Sequence, residues 1–139
     1  MIDALIEDLK NDEGWRPSAY SDSLGYLTIG YGFLIDERKA GTLPLEIAEQ
    51  WLIQAATQRW NSLVNIYPWL NDQPEQVQRA VANMAYQLGV NGVGNFTKML
   101  NALESGDRET AAIEALDSKW AIQTPERAER VANMIGGTL

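Results

Sequence analysis

The stretch NDEGWRPSAYSDSLGYLTIGYG, Asn11 to Gly32, decides how this chain folds. Upstream of it, Ile2, Leu5, Ile6 and Leu9 recur at helical spacing, so roughly the first ten residues read as an amphipathic helix. At about 100° per residue, Glu13 falls near the centre of that apolar stripe and Asp12 lies to one side. Gly14 stops the helix. From Pro17 the period changes from helix to strand. Residues 18–20 and 26–29 read as a hairpin, with Asp22-Ser23-Leu24-Gly25 as its turn. Alternation puts Leu27 and Ile29 on one face and Tyr26, Thr28 and Gly30 on the other, so Thr28 is expected on the open face. Gly30 and Gly32 leave bare backbone where a ligand can approach closely. Residues 33–35 are expected to add a third short strand.

Everything beyond this point has a helical pattern. Thr42 and Pro44 open a long helix expected to reach about residue 65. Asp72 and Pro74 open another over 75–88, ended by Gly89. Shorter helices are expected near 97–104 and 109–119, and Thr124-Pro125 start a last one that Gly136-Gly137 end. No internal repeat, low-complexity tract or inter-domain linker interrupts the series. The fold class predicted is α+β and mainly α-helical, a small sheet carried on helices. A long helix would bridge a small amino-terminal lobe and a larger carboxy-terminal one.

Bulk properties narrow the chemistry. A chain of 139 residues with 45% hydrophobic content suits one domain in two lobes. No apolar run approaches the roughly 18 residues of a membrane span, so no membrane insertion is expected. MIDALIEDLK carries acids where a secretory signal needs basic residues, so synthesis in the cytoplasm without a signal peptide is expected. With no cysteine, disulfides, thiol catalysis and cysteine-based zinc sites are excluded. With no histidine, catalysis by an imidazole base is excluded as well. Acid–base chemistry must therefore rest on Asp, Glu, Tyr or Lys. Eleven basic against nineteen acidic residues give a net charge of −8, which disfavours a nucleic-acid partner.

Glycosidic-bond hydrolysis needs a carboxylic acid to protonate the leaving oxygen and a second carboxylate to handle water or the sugar cation. Glu13, on an apolar stripe beside Trp15, suits the first role. Asp22, in a polar turn, suits the second, and Thr28 is placed to help hold a water. The ordinary reading is a helix-end acid and a turn aspartate bonded to its own backbone, and on spacing alone it is the commoner one.

Three blocks shift that balance. Glu13-Gly14-Trp15-Arg16 through Asp22 to Gly25-Tyr26-Leu27-Thr28-Ile29-Gly30-Tyr31-Gly32 resembles the active-site signature of the phage-type lysozymes, the bacteriophage T4 lysozyme family. The acid, the aspartate and the threonine stand nine and then six residues apart (13 to 22, 22 to 28). Asn83-Met84-Ala85-Tyr86-Gln87-Leu88-Gly89 with Asn95-Phe96-Thr97 matches a second block, and Ser118-Lys119-Trp120 with Gln123 to Val131 a third, in family order. The resemblance implies a single lysozyme-like domain over 1–139. Its small lobe would cover about 14–45, its bridging helix about 44–65, and its helical lobe about 66–139 together with the amino-terminal helix 2–13. A cleft would lie between the lobes, with no cofactor and no metal.

It also implies roles. Glu13 would be the general acid, and Asp22 and Thr28 would position the attacking water of an inverting hydrolysis. Arg127 and Arg130 would support the site by pairing with Glu13 and Asp12; as exposed charges each would contribute under about 1 kcal/mol. Leu34, Tyr86 and Gln87 would line the sugar cleft, although core packing is an equal reading for Leu34 and Tyr86. Trp120 matches a buried family residue; Trp51, Trp60 and Trp69 are expected in the core or at the lobe junction. The implied protein is a monomeric endolysin that hydrolyses the bond between N-acetylmuramic acid and N-acetylglucosamine in peptidoglycan glycan strands. It would reach the wall through a holin or at lysis.

There are departures. Phe33 stands where many relatives carry histidine, Met99 and Glu114 replace small polar residues that touch the glycan, the segment after Leu34 is short, and the net charge is acidic. A non-catalytic wall-binding module or phage tail component would need the cleft without its acids. A helical interaction protein would leave the hairpin unexplained. A lytic transglycosylase would need no water-activating Asp–Thr pair.

Overall fold

The computed structural model describes residues 1–34 and 43–137, Phe33 by its backbone alone. The expected strand residue Ile35 and the helix start at Thr42 lie outside them. The chain divides into two compact units, Met1–Trp51 and Leu52–Leu139.

In the first unit, helix α1 (Ile2–Glu13) stops at Gly14, whose φ of 72° breaks the helix while its N–H still reaches the Lys10 carbonyl. Strands β1 (Arg16–Ser21), β2 (Leu27–Gly30) and β3 (Phe33–Leu34) follow as an antiparallel sheet in the order β1-β2-β3. The β1–β2 turn is built on Asp22. Its Oδ1 accepts the N–H groups of Leu24 and Tyr26, each at 2.9 Å, and its own N–H donates to the Tyr26 carbonyl at 2.8 Å. Gly25 supplies the positive φ, 86°, that the turn requires.

The helical stripe of α1 forms as the spacing predicts, but it is not covered. Ile2, Leu5, Ile6 and Leu9 are 41 to 55% exposed, and no residue of the helix is buried. A three-stranded sheet whose last strand is two residues long is too small to cover a twelve-residue helix. At the carboxy-terminal end of α1, Glu13 meets the β2–β3 turn at Gly32.

Helix α2 (Leu45–Ile66) runs from the first unit into the second. Leu63 is fully buried, Trp60 and Val64 pack on the same core, and upstream Trp51 is 50% exposed rather than packed as expected. A short 3-10 turn, Pro68–Asp72, adds Leu70 and Trp69 to that core. Helix α3 (Glu75–Gly94) continues past its expected end, with Gly89 (φ 78°, ψ 161°) as a non-helical break inside it. Helices α4 (Thr97–Glu104), α5 (Arg108–Leu116), α6 (Lys119–Gln123) and α7 (Pro125–Gly136) complete the unit.

Helix α7 shows why this unit is cohesive: Ala128, Val131, Ala132 and Ile135 are buried at helical spacing, while Glu126, Glu129 and Arg130 stay exposed. Each fully buried side chain of Leu or Ile size contributes about 1.5–3 kcal/mol. The single helix expected over 109–119 is two, because Ser118 caps α6 by accepting the Ala121 N–H at 3.2 Å. Asp107 caps α5 through the Thr110 N–H at 3.1 Å, and its bonds from Thr110 hold its carboxyl below the ordinary value.

Arg108 ties three helices. Its Nε donates to the Ile135 carbonyl at 2.8 Å, and its Nη2 to the Met134 carbonyl at 2.9 Å and to Gln76 Oε1 at 3.1 Å. A cation on the last carbonyls of α7 satisfies acceptors that no helix provides for. Arg108→Ala is expected to lower unfolding stability by about 2–3 kcal/mol in urea titration. A loss within about 0.5 kcal/mol, the usual range for a surface substitution, would show that water serves these carbonyls equally well.

Candidate active site

Glu13 is the last residue of α1, and its carboxylate lies against the β2–β3 turn. A Cβ built on Gly32 would collide with Glu13 Oε2 and lie 3.0 Å from its Cδ. Gly32, at φ +76°, is thus glycine twice over: the backbone is left-handed there, and the space its side chain would fill is taken by the acid. Ile6, Leu9, Lys10, Glu13, Tyr31 and Gly32 line a pocket of about 400 Å³. Its walls are largely aliphatic and aromatic, although Glu13 itself is exposed. The Trp15 ring packs on Tyr31, 5.3 Å between centroids. Lys10, one turn back, pairs with Glu7 at 3.3 Å, and Asp12 is exposed.

Asp22 is half-buried, and the ordinary reading holds for its Oδ1, which takes both turn bonds. Neither of those bonds uses Oδ2, which can accept from water. Tyr20 pairs with Thr28 across the strands and Asp22 lies opposite Tyr26, which places Asp22 and Thr28 on one face of the sheet. Thr28 departs from expectation. It is only 5% exposed, because β2 is the central strand and Thr28 is flanked by Tyr20 on β1 and Leu34 on β3. Its hydroxyl donates to the Tyr26 carbonyl at 3.2 Å. Glu13, Asp22, Thr28 and Leu34 all belong to the first unit; Leu34 is exposed.

Tyr86 and Gln87 lie in the second unit, exposed on α3 just before its break at Gly89. Gln87 Oε1 accepts the indole N–H of Trp120 at 2.9 Å, which orients the amide and leaves its NH₂ to donate. Trp120 is buried, as expected, and meets Phe96 edge to face at 5.9 Å. The two departures Met99 and Glu114 line one pocket of about 660 Å³, together with Phe96, Trp120, Lys98 and Lys119. Arg127 donates to Asn83 Oδ1 at 3.0 Å, and Arg130 is exposed.

Sequence reasoning named none of three partners: Asn83 for Arg127, Trp120 for Gln87, and Arg59, whose guanidinium lies over the Tyr86 ring at 5.2 Å. Asn83 and Trp120 stood in the matched blocks, but nothing in spacing linked them to their partners. Among the described residues no three acidic side chains come close enough to hold a metal, and no helix is long and apolar enough to cross a membrane.

The family model described as phage lysozyme matches residues 10–132. Over 170 residues the chain is 34% identical to "Probable T4-type lysozyme 1" of Dictyostelium discoideum, covering 100% of this chain and 98% of that protein. It is 33% identical to the "Pre-baseplate central spike protein Gp5" of Enterobacteria phage T4, over 95% of this chain but 27% of that protein. "Peptidoglycan hydrolase gp36" of Pseudomonas phage phiKMV is 29% identical over 88% of this chain and 14% of its own length.

Proposed function

The chain belongs to the phage lysozyme family, a family of glycoside hydrolases, and we propose that it cleaves the β-1,4 bond between N-acetylmuramic acid and N-acetylglucosamine in peptidoglycan with inversion. One observation carries this reading: a carboxylic acid seated on the bare backbone of Gly32, with Asp22 and Thr28 on one face of the sheet that this turn belongs to. Glu13 gives its proton to the glycosidic oxygen as the bond to C1 breaks. Water attacks C1 from the opposite face, its proton passing to Asp22 Oδ2, while a lone pair of the Thr28 hydroxyl accepts its other hydrogen. Leu34, Tyr86 and Gln87 hold the glycan, and Asp12, Arg127 and Arg130 support the acid. The protein acts as a monomeric endolysin released by a holin.

A second reading has its own support. The chain matches only 27% and 14% of two longer phage proteins, which fits the same lysozyme unit carried within a larger particle. The hydrolytic reading is tested on purified insoluble walls. Release of soluble glycan supports it, and retention on the walls without release replaces it with a binding module.

Charge makes a separate prediction. Bacterial walls are largely anionic and this chain carries −8, so encounter is opposed at long range. Clearing of permeabilised cells is expected to speed up as salt rises from about 10 mM to about 100 mM, where the screening length falls from roughly 30 Å to roughly 10 Å. A rate that falls steadily with salt would contradict this.

A further inference from the structure

Tyr86 and Gln87 are adjacent on an exposed stretch of α3, yet neither side chain is loose. Gln87 is held by the Trp120 indole at 2.9 Å. Tyr86, 43% exposed, has the Arg59 guanidinium over its ring at 5.2 Å. Arg59 is itself anchored, since its Nη1 donates to the Ala55 carbonyl one turn back on α2 at 3.2 Å. A cation fixed to one helix therefore clamps an aromatic ring on another. We propose that Arg59 is a positioning residue for glycan binding, holding the Tyr86 ring flat for a sugar face to pack on. It acts through Tyr86 and not on the reacting atoms, and it rests on the reading of Tyr86 as a glycan contact.

The physical reason lies in the ordering cost. An exposed tyrosine that must be immobilised on binding weakens affinity, and a ring already held by a cation has met that cost in the free protein. Arginine suits this better than lysine, because its planar guanidinium stacks on the ring while one N–H stays on the helix carbonyl. The effect should therefore fall on KM, and the chemical step, in which Arg59 takes no part, should keep its rate.

The test is a double-mutant cycle on soluble, uncross-linked peptidoglycan strands, with circular dichroism showing that each variant folds. Arg59→Met is expected to raise KM about three- to tenfold with kcat within a factor of about two, and Arg59→Lys to recover part of the loss. Tyr86→Ala is expected to raise KM at least as much, and Arg59→Met should then add nothing in the Tyr86→Ala background. If Tyr86→Ala raises KM and Arg59→Met does not, or if Arg59→Met retains its full effect without Tyr86, the positioning role is overturned. If Tyr86→Ala leaves KM unchanged, the glycan-contact reading of Tyr86 fails first, and the role of Arg59 falls with it.

Discussion

Glu13→Gln is expected to lower kcat on peptidoglycan by about 10²–10⁴-fold with KM nearly unchanged, the range for losing a general acid. Glutamine keeps the length and shape of the side chain, so it fits the same place against Gly32, but an amide cannot deliver a proton to the leaving oxygen. Because Glu13 is exposed at the end of α1, the substitution should leave the fold and its thermal midpoint intact. Turbidity loss of permeabilised cells, read beside circular dichroism, checks both halves. A folded variant that keeps more than about a tenth of the parental rate would remove Glu13 from the acid's role, since general acids contribute at least about 10²-fold.

Gly32→Ala tests the placement of that acid. The substitution combines two effects: an alanine at φ +76°, which costs about 1–2 kcal/mol, and a methyl in the space held by the Glu13 carboxylate. Gly106 separates them. Its φ is +84° and a Cβ there meets nothing within 4 Å, so Gly106→Ala carries the backbone strain alone. Both variants should lose similar stability, but only Gly32→Ala should lose kcat, by about 10²-fold if the carboxylate moves by about an ångström. Equal kcat in the two variants would show that contact with Gly32 does not set the position of the acid.

The local structure was legible where a residue type has one physical use. Gly14 ends α1, Gly25 makes the hairpin turn, Asp22 bonds its own backbone, and the α4 helix runs where its period puts it. What was hidden depends on contacts distant in sequence. Alternation assigned Thr28 a face, but not that a third strand would bring Leu34 beside it and bury it. Periodicity found the apolar stripe of α1 without saying how little the small sheet would cover. The α5–α6 break turned on a serine that caps a five-residue helix, too short for its own period to be visible. The roles proposed for Glu13, Asp22 and Thr28 rest on their spacing and family likeness together. The hold on Tyr86 by Arg59, across 27 positions of sequence (59 to 86), leaves no local trace.

The most direct measurement is the chemistry of the new chain ends. Purified peptidoglycan digested by the protein, then reduced with borohydride, should yield muramitol at the newly formed ends, because hydrolysis of the bond from C1 of N-acetylmuramic acid to N-acetylglucosamine leaves N-acetylmuramic acid as the reducing sugar. The Glu13→Gln variant should yield none. Reduced glucosamine ends would mean that the other glycosidic bond is cut, and 1,6-anhydromuramic ends would mean that no water is added. Either would contradict the assignment of Asp22 and Thr28 to a water poised for muramidase hydrolysis.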